Sequence, residues 1–174
     1  MMFRLDIPSE PYWLDLPQGV RVKVRPLDAM VEAAARNSAR SALSAARAEI
    51  TERLAVGAPV SDLPDLADEN LEVAFLKIEM ARGLARYGMM EWEGVGDEDG
   101  TAPLPFNAER AARLASHPAI MDAFLLAYFA PVSAMAAEGN ASPLTPNGST
   151  AAGGTIADAV EPIAPTAPAP PRLH

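Results

Sequence analysis

Valines and cations alternate without a break through Val20-Arg21-Val22-Lys23-Val24-Arg25, a period of two that predicts a β-strand with one apolar and one cationic face. Upstream, Tyr12, Leu14 and Leu16 fall on one face of a shorter strand. Pro17-Gln18-Gly19 supplies the turn between them, with Gly19 free to take positive φ. The expected element is an N-terminal β-hairpin over residues 12–25. A lone hairpin is marginal in water, so its valine face must pack on the helices downstream. The cationic face reads as solvated, or as a device that blunts a sheet edge.

After Asp28 the period changes from two to that of a helix. Val31, Ala35, Ala39, Ala42, Ala46, Ile50 and Leu54 step by three or four, predicting one long helix with Asp28 as N-cap and Gly57 as the stop. A stripe so rich in alanine lets another helix approach closely but buries little area per residue. It is completed either by a neighbour within the domain or by another chain. A second helix is expected from Asp68 or Glu69 to Trp92. Leu71, Phe75, Ile78, Ala85, Met89 and Trp92 lie on one of its sides, and Val73, Leu76, Met80, Leu84 and Tyr87 on another. With two apolar faces it belongs at the centre of the fold. Gly94, Gly96 and the acidic turn Asp97-Glu98-Asp99-Gly100 then lead through Pro103 and Pro105 to Phe106 and Asn107. Asn107 is placed to cap a third helix and Phe106 to staple onto its first turn. That helix must be short, because Pro118 disfavours helical backbone at His117. A fourth helix carries Ile120, Met121, Phe124, Leu125, Tyr128 and Phe129, and Pro131 should end or kink it.

From Gly139 the pattern lapses. The last 36 residues hold seven prolines, four glycines and no aromatic residue, a composition that cannot offset the entropy of ordering its backbone. The expected organisation is a mainly α fold: a small helical domain with an N-terminal β-hairpin over residues 1–138, and a disordered tail over 139–174. Within the tail only Ile156, Val160 and Ile163 keep a helical spacing, as a fragment able to fold on a partner would.

Charge narrows the function classes. The net charge is −9, which a phosphate backbone repels, and no block of lysine and arginine offsets it. Nucleic acid is therefore not an expected partner. The chain has no cysteine, so disulfides, thiolate nucleophiles and cysteine-based zinc sites are excluded. No run reaches the roughly 18 apolar residues of a spanning helix, and residues 1–8 hold no apolar signal core, so a cytoplasmic protein without membrane attachment is expected. The acidic turn does not make a calcium loop: with Gly100 at the glycine position, Val95 and Phe106 would fall where carboxylates are needed. His117 and His174 lack partners at metal-ligand spacing, and no nucleophile elbow or phosphate-binding glycine loop is present. Neither cofactor nor catalysis is expected.

One stretch carries more. Trp92-Glu93-Gly94-Val95, then Asp97-x-Asp99-Gly100, then Pro105-Phe106-Asn107-x-Glu109, resembles the tail assembly chaperones of long-tailed bacteriophages, prophages and gene-transfer elements. Gly83-Leu84-Ala85-Arg86, the early strand pair and the loose tail fit the same resemblance, which spans roughly residues 10 to 130. Asn107 stands where the family pattern has Thr or Ser; asparagine caps helices equally well. The resemblance implies a non-enzymatic protein of the host-cell cytoplasm, absent from the finished virion. It would keep the tape-measure protein soluble, help recruit tail-tube protein, and could act as a homo-oligomer. The alternative is a structural virion protein, a connector or tail-completion subunit. Val31, Ile50 and Leu54 on the alanine-rich stripe, with Trp92, Val95 and Phe106 at the acidic joint, are the candidate partner-contact residues. The last three read as core first and as the rim of a partner surface second.

Overall fold

The computed structural model describes residues 8–97, 99–100 and 102–140. Strands β1 (Tyr12–Asp15) and β2 (Arg21–Val24) form the N-terminal hairpin. Helices α1 (Ala29–Ala55) and α2 (Glu69–Gly88) come next, then strand β3 (Met89–Glu93) and helices α3 (Ala108–Ala115) and α4 (Met121–Asn140). The fold is mainly α with an N-terminal hairpin, as the pattern predicts.

The hairpin turn is left-handed at two consecutive residues, Gln18 at φ 63° and Gly19 at φ 74°. The Leu16 amide donates to the Val20 carbonyl at 2.8 Å and so closes it. Glycine adopts this backbone freely, whereas glutamine does so at a cost and asparagine more cheaply. Gln18→Asn is therefore expected to raise stability by about 0.5 kcal/mol, seen as a small upward shift in thermal midpoint.

The sheet order is β1-β2-β3, antiparallel throughout, so β2 is the central strand and not an edge. Its valines face inward, with Val22 and Val24 fully buried. Its cations do not guard an edge; they lie on the solvent-facing side of the sheet, as expected, and acids of the flanking strands pair with them there. Arg21 bonds Asp15 and Glu93, each at 2.9 Å, and Lys23 pairs with Glu91 at 3.6 Å. The Arg21 guanidinium also lies 5.0 Å from the centre of the Trp13 ring.

The second helix does not reach Trp92. It ends at Gly88, and Met89–Glu93 becomes the third strand. Gly88 is pressed against α4: a Cβ there would lie 2.4 Å from the Tyr128 hydroxyl oxygen. That hydroxyl donates to the Arg25 carbonyl at 3.0 Å, and the Arg25 amide donates to the Gly88 carbonyl at 2.9 Å. Burial pushes the Tyr128 phenol well above its usual range, so it stays a neutral donor. The chain leaves the helix where these bonds tie it to the end of β2. Pairing then runs Val24 with Met89 and Lys23 with Glu91, so Met90 is an extra residue in a bulge. The bulge turns both Met89 and Trp92 inward although they stand three residues apart. Three is also a helical spacing, which is why the sequence reads as continuous helix.

The helices start as their residues dictate. Asp28 accepts from the Val31 amide at 2.7 Å, Asp68 from Asn70 at 2.8 Å and Asn107 from Arg110 at 2.8 Å. Before α4 the His117 carbonyl accepts from the Ile120 and Met121 amides, both at 2.9 Å, with Pro118 in the entry turn. Pro131 does not end α4; the helix passes through it with one ladder bond fewer and reaches Asn140, two residues past the expected domain boundary. The remainder of the expected tail, residues 141–174 with its Thr155–Ile163 fragment, lies outside the described residues.

The core gathers the inner sheet face, the last turns of α2, and Ile120, Phe124 and Tyr128. Helices α1 and α2 cross where a Cβ on Gly83 would lie 2.8 Å from the Ala35 Cα. Past Ala39 no residue of α1 is buried, and before Ala81 none of α2 is. Only the C-terminal half of α2 is central; its first half pairs with the end of α1 in a two-helix arm.

Candidate partner-binding surfaces

The joint between β3 and α3 is built residue by residue from the motif singled out in the sequence. Gly94 sits at φ 74°, where a Cβ would come within 2.3 Å of the Gly19 carbonyl oxygen, so both backbone angle and space require glycine. Val95 and Leu104 are bonded across the loop, Leu104 amide to Val95 carbonyl at 2.9 Å, and the Asp97 amide donates to the Ala102 carbonyl at 2.9 Å. The Asp97 carboxylate accepts from the Ala102 amide at 3.3 Å, so this acid organises the loop and is more than a solvated turn residue. Gly100, at φ 67°, closes the turn by donating to the Asp97 carbonyl at 3.0 Å. Glu98 lies outside the described residues.

Trp92 fastens this loop to the core. Its indole N–H donates to the Leu104 carbonyl at 2.8 Å, and the Phe106 ring meets it edge-on at a centroid distance of 5.3 Å. Glu109 then ties α3 to α2 through a two-pronged bond with Arg86, both distances 3.1 Å. The Arg86 guanidinium holds the Glu109 carboxyl below the usual carboxylate range. Beneath the acidic turn, Trp92, Val95, Leu104 and Leu114 line a hollow of about 420 Å³ with Arg113 and His117 at its border. His117 is not free, since its Nδ1 accepts from the Ala119 amide at 3.3 Å.

The six candidate contact residues thus fall into three places. Val31 is buried at the start of α1 and Trp92 is buried behind the joint, 4% and 9% exposed. Val95 and Phe106 are half-buried against the core beside Trp92. Ile50 and Leu54 lie at the far end of α1, roughly 30 Å from Val31 at 1.5 Å per residue, and Leu54 is 61% exposed. The alanine-rich stripe is therefore not covered evenly: its first half is buried, Ala42, Ala46 and Ile50 are half-buried where the first half of α2 pairs with α1, and Leu54 at its end is open. Elsewhere on the arm Val56, Leu71 and Val73 are exposed, at 75%, 48% and 61%. The stripe pattern did not single these out, because Val56 lies past the last full turn of α1, and Leu71 and Val73 belong to helix faces that become central only farther along. Leu104 and Leu114 were missed for another reason: nothing in sequence spacing reports that the acidic loop folds back over α3.

No protein-family model, curated protein or solved structure matches this chain. Among the described residues no group of three or more His, Cys, Asp or Glu could hold a metal ion, and no helix is long and apolar enough to cross a membrane.

Proposed function

We propose that this protein is a non-enzymatic tail assembly chaperone that binds a tape-measure protein in the host cytoplasm and helps bring tail-tube subunits to it. The observation that carries the holding role is that several large apolar side chains are left exposed on the α1–α2 arm. Leu54, Val56, Leu71 and Val73 are each about half exposed or more, while the core is closed and, among the described residues, holds no buried polar side chain. Apolar side chains left exposed on an otherwise closed domain point to an interaction site, and an amphipathic helix is a partner such surfaces commonly cover. The identity of that partner comes from the resemblance at Trp92–Glu109. Within that stretch Trp92, Asp97, Phe106, Asn107 and Glu109 each hold the joint together.

The test is co-expression of the tape-measure protein encoded alongside this chain, with and without it. The expected result is a several-fold rise in the soluble fraction and co-elution of the two proteins, while purified virions lack this chain. Equal aggregation in both cultures would remove the chaperone role. Recovery of the chain as a fixed component of purified particles would instead make it a structural subunit, a connector or tail-completion protein.

A further inference from the structure

The open end of the arm has both a shape and a charge. The last turns of α1 and the segment joining it to α2 enclose a groove of about 740 Å³, with Ile50, Leu54, Val60, Leu63 and Leu66 among its walls. That is room for several leucine-sized side chains. One wall is a helix whose backbone groups are already bonded to one another and the other is a turn-rich segment that forms no strand, so the groove offers no strand edge to an extended chain. An occupant must satisfy its own backbone, and a helix does so.

Charge restricts the occupant further. Arg47 and Arg53 are the only cations between positions 47 and 73, and both are engaged. Arg47 pairs with Glu72, and Arg53 with Asp62 at 2.8 Å and Glu49 at 2.6 Å. Glu52, Asp65, Asp68 and Glu69 are exposed and, among the described residues, have no ion-pair partner. Asp68 and Asp65 accept local backbone amides, and both side chains remain exposed to solvent. Of these carboxylates, Asp65 lines the groove, and Asp68 and Glu69 follow directly on its last lining residue, Ala67, so this end of the groove disfavours an acidic segment and favours a basic one.

We infer that this groove docks an amphipathic helix whose apolar stripe is flanked by lysine or arginine. The inference deepens the chaperone reading, on which it rests for the source of that helix, and it names the surface and the chemistry of contact. A second copy of this chain is the poorer occupant, because it would bring the same acidic end or a net charge of −9 towards these carboxylates.

The experiment is titration of the intact protein against a short synthetic helix of leucine and lysine, alongside its leucine–glutamate counterpart, read by fluorescence anisotropy. The lysine helix is expected to bind and the glutamate helix not to. Leu54→Asp separates docking from general attraction. It adds a negative charge, so non-specific attraction would hold or strengthen, whereas loss of the apolar contact weakens docking by at least about tenfold. Leu54 is largely exposed, and an unchanged melting curve confirms that the variant is folded. The inference is overturned if Leu54→Asp binds as tightly as the parent or if both helices bind alike. It is also overturned if the parent sediments as a dimer that Leu54→Asp dissociates, which would assign the groove to a second copy. Co-expression of Leu54→Asp with the tape-measure protein keeps the two readings apart. Undiminished solubilisation sinks the groove assignment and leaves the chaperone standing. No solubilisation even by the parent, with the lysine helix still docking at Leu54, sinks the chaperone alone.

Discussion

Gly83→Val is expected to destabilise the protein by at least about 3 kcal/mol, enough to lose a large part of the stability of an ordinary domain. In an isolated helix the same change would be mildly favourable or neutral, since glycine is the poorest helix former after proline. Packing reverses the sign. A Cβ on Gly83 would lie 2.8 Å from the Ala35 Cα and 3.0 Å from both its carbonyl oxygen and its Cβ. Two of these three atoms are backbone, so no side chain can swing aside, and α1 must move bodily off α2. Ala35→Gly removes only the third, so the double variant should recover a minor part of the loss. Denaturant titration measures this directly. A Gly83→Val protein as stable as the parent would mean that α1 and α2 do not cross at this point. The arm that carries the groove is held to the core at this crossing, so the variant should also lose solubilising activity.

That crossing was half legible in the sequence. The alanine-rich stripe announced a close approach of helices, and Asp28, Asp68 and Asn107 announced where helices begin, because caps and small residues act locally. What the sequence concealed is where a neighbour intervenes. Met89 and Trp92 hold a helical spacing, yet they form a bulged strand because β2 lies ready to pair with them and Gly88 is pinned beneath Tyr128. The strand partner, β2, lies more than sixty residues earlier, and no local pattern reports it. The same limit explains the cations of β2. Alternation correctly set their face, but only the sheet order shows that they sit between two acidic strands.

The candidate contacts divide in the same way. Hydrophobicity marked Val31, Ile50 and Leu54 as one stripe, and the length of α1 then carried its two ends into different surroundings, one buried and one open. Burial is a property of what packs opposite: near its start α1 meets both α2 and the sheet, while farther along it has only the first half of α2 beside it. The acidic joint was legible as a turn flanked by large apolar groups. That Asp97 would organise it through the Ala102 amide depended on the loop folding back, which the bond between Val95 and Leu104 achieves.

Trp92→Ala is expected to cost about 3–5 kcal/mol, the range for removing a large aromatic side chain from a core. The ring is 9% exposed, so nearly all of its apolar surface would be replaced by a cavity or by water. Two further losses accompany it. Phe106 loses its edge-on partner at 5.3 Å, and the Leu104 carbonyl loses the indole donor at 2.8 Å that holds the acidic loop down. Trp92→Phe keeps most of the ring volume but not the N–H, and should fall between alanine and the parent, at about 1–2 kcal/mol. Trp13 remains as the sole tryptophan in both variants and, stacked beneath Arg21 on the outer face of the sheet, reports unfolding by fluorescence. The informative comparison is binding at a temperature where parent and variant are both folded. A large loss of stability with binding preserved assigns Trp92 to the scaffold that supports the joint. Unchanged stability with binding abolished would place the indole on the partner surface and contradict its burial. Because the groove at the far end of the arm contains no residue of this joint, the scaffold role predicts that Trp92→Ala and Leu54→Asp act independently, the first on the melting curve and the second on binding.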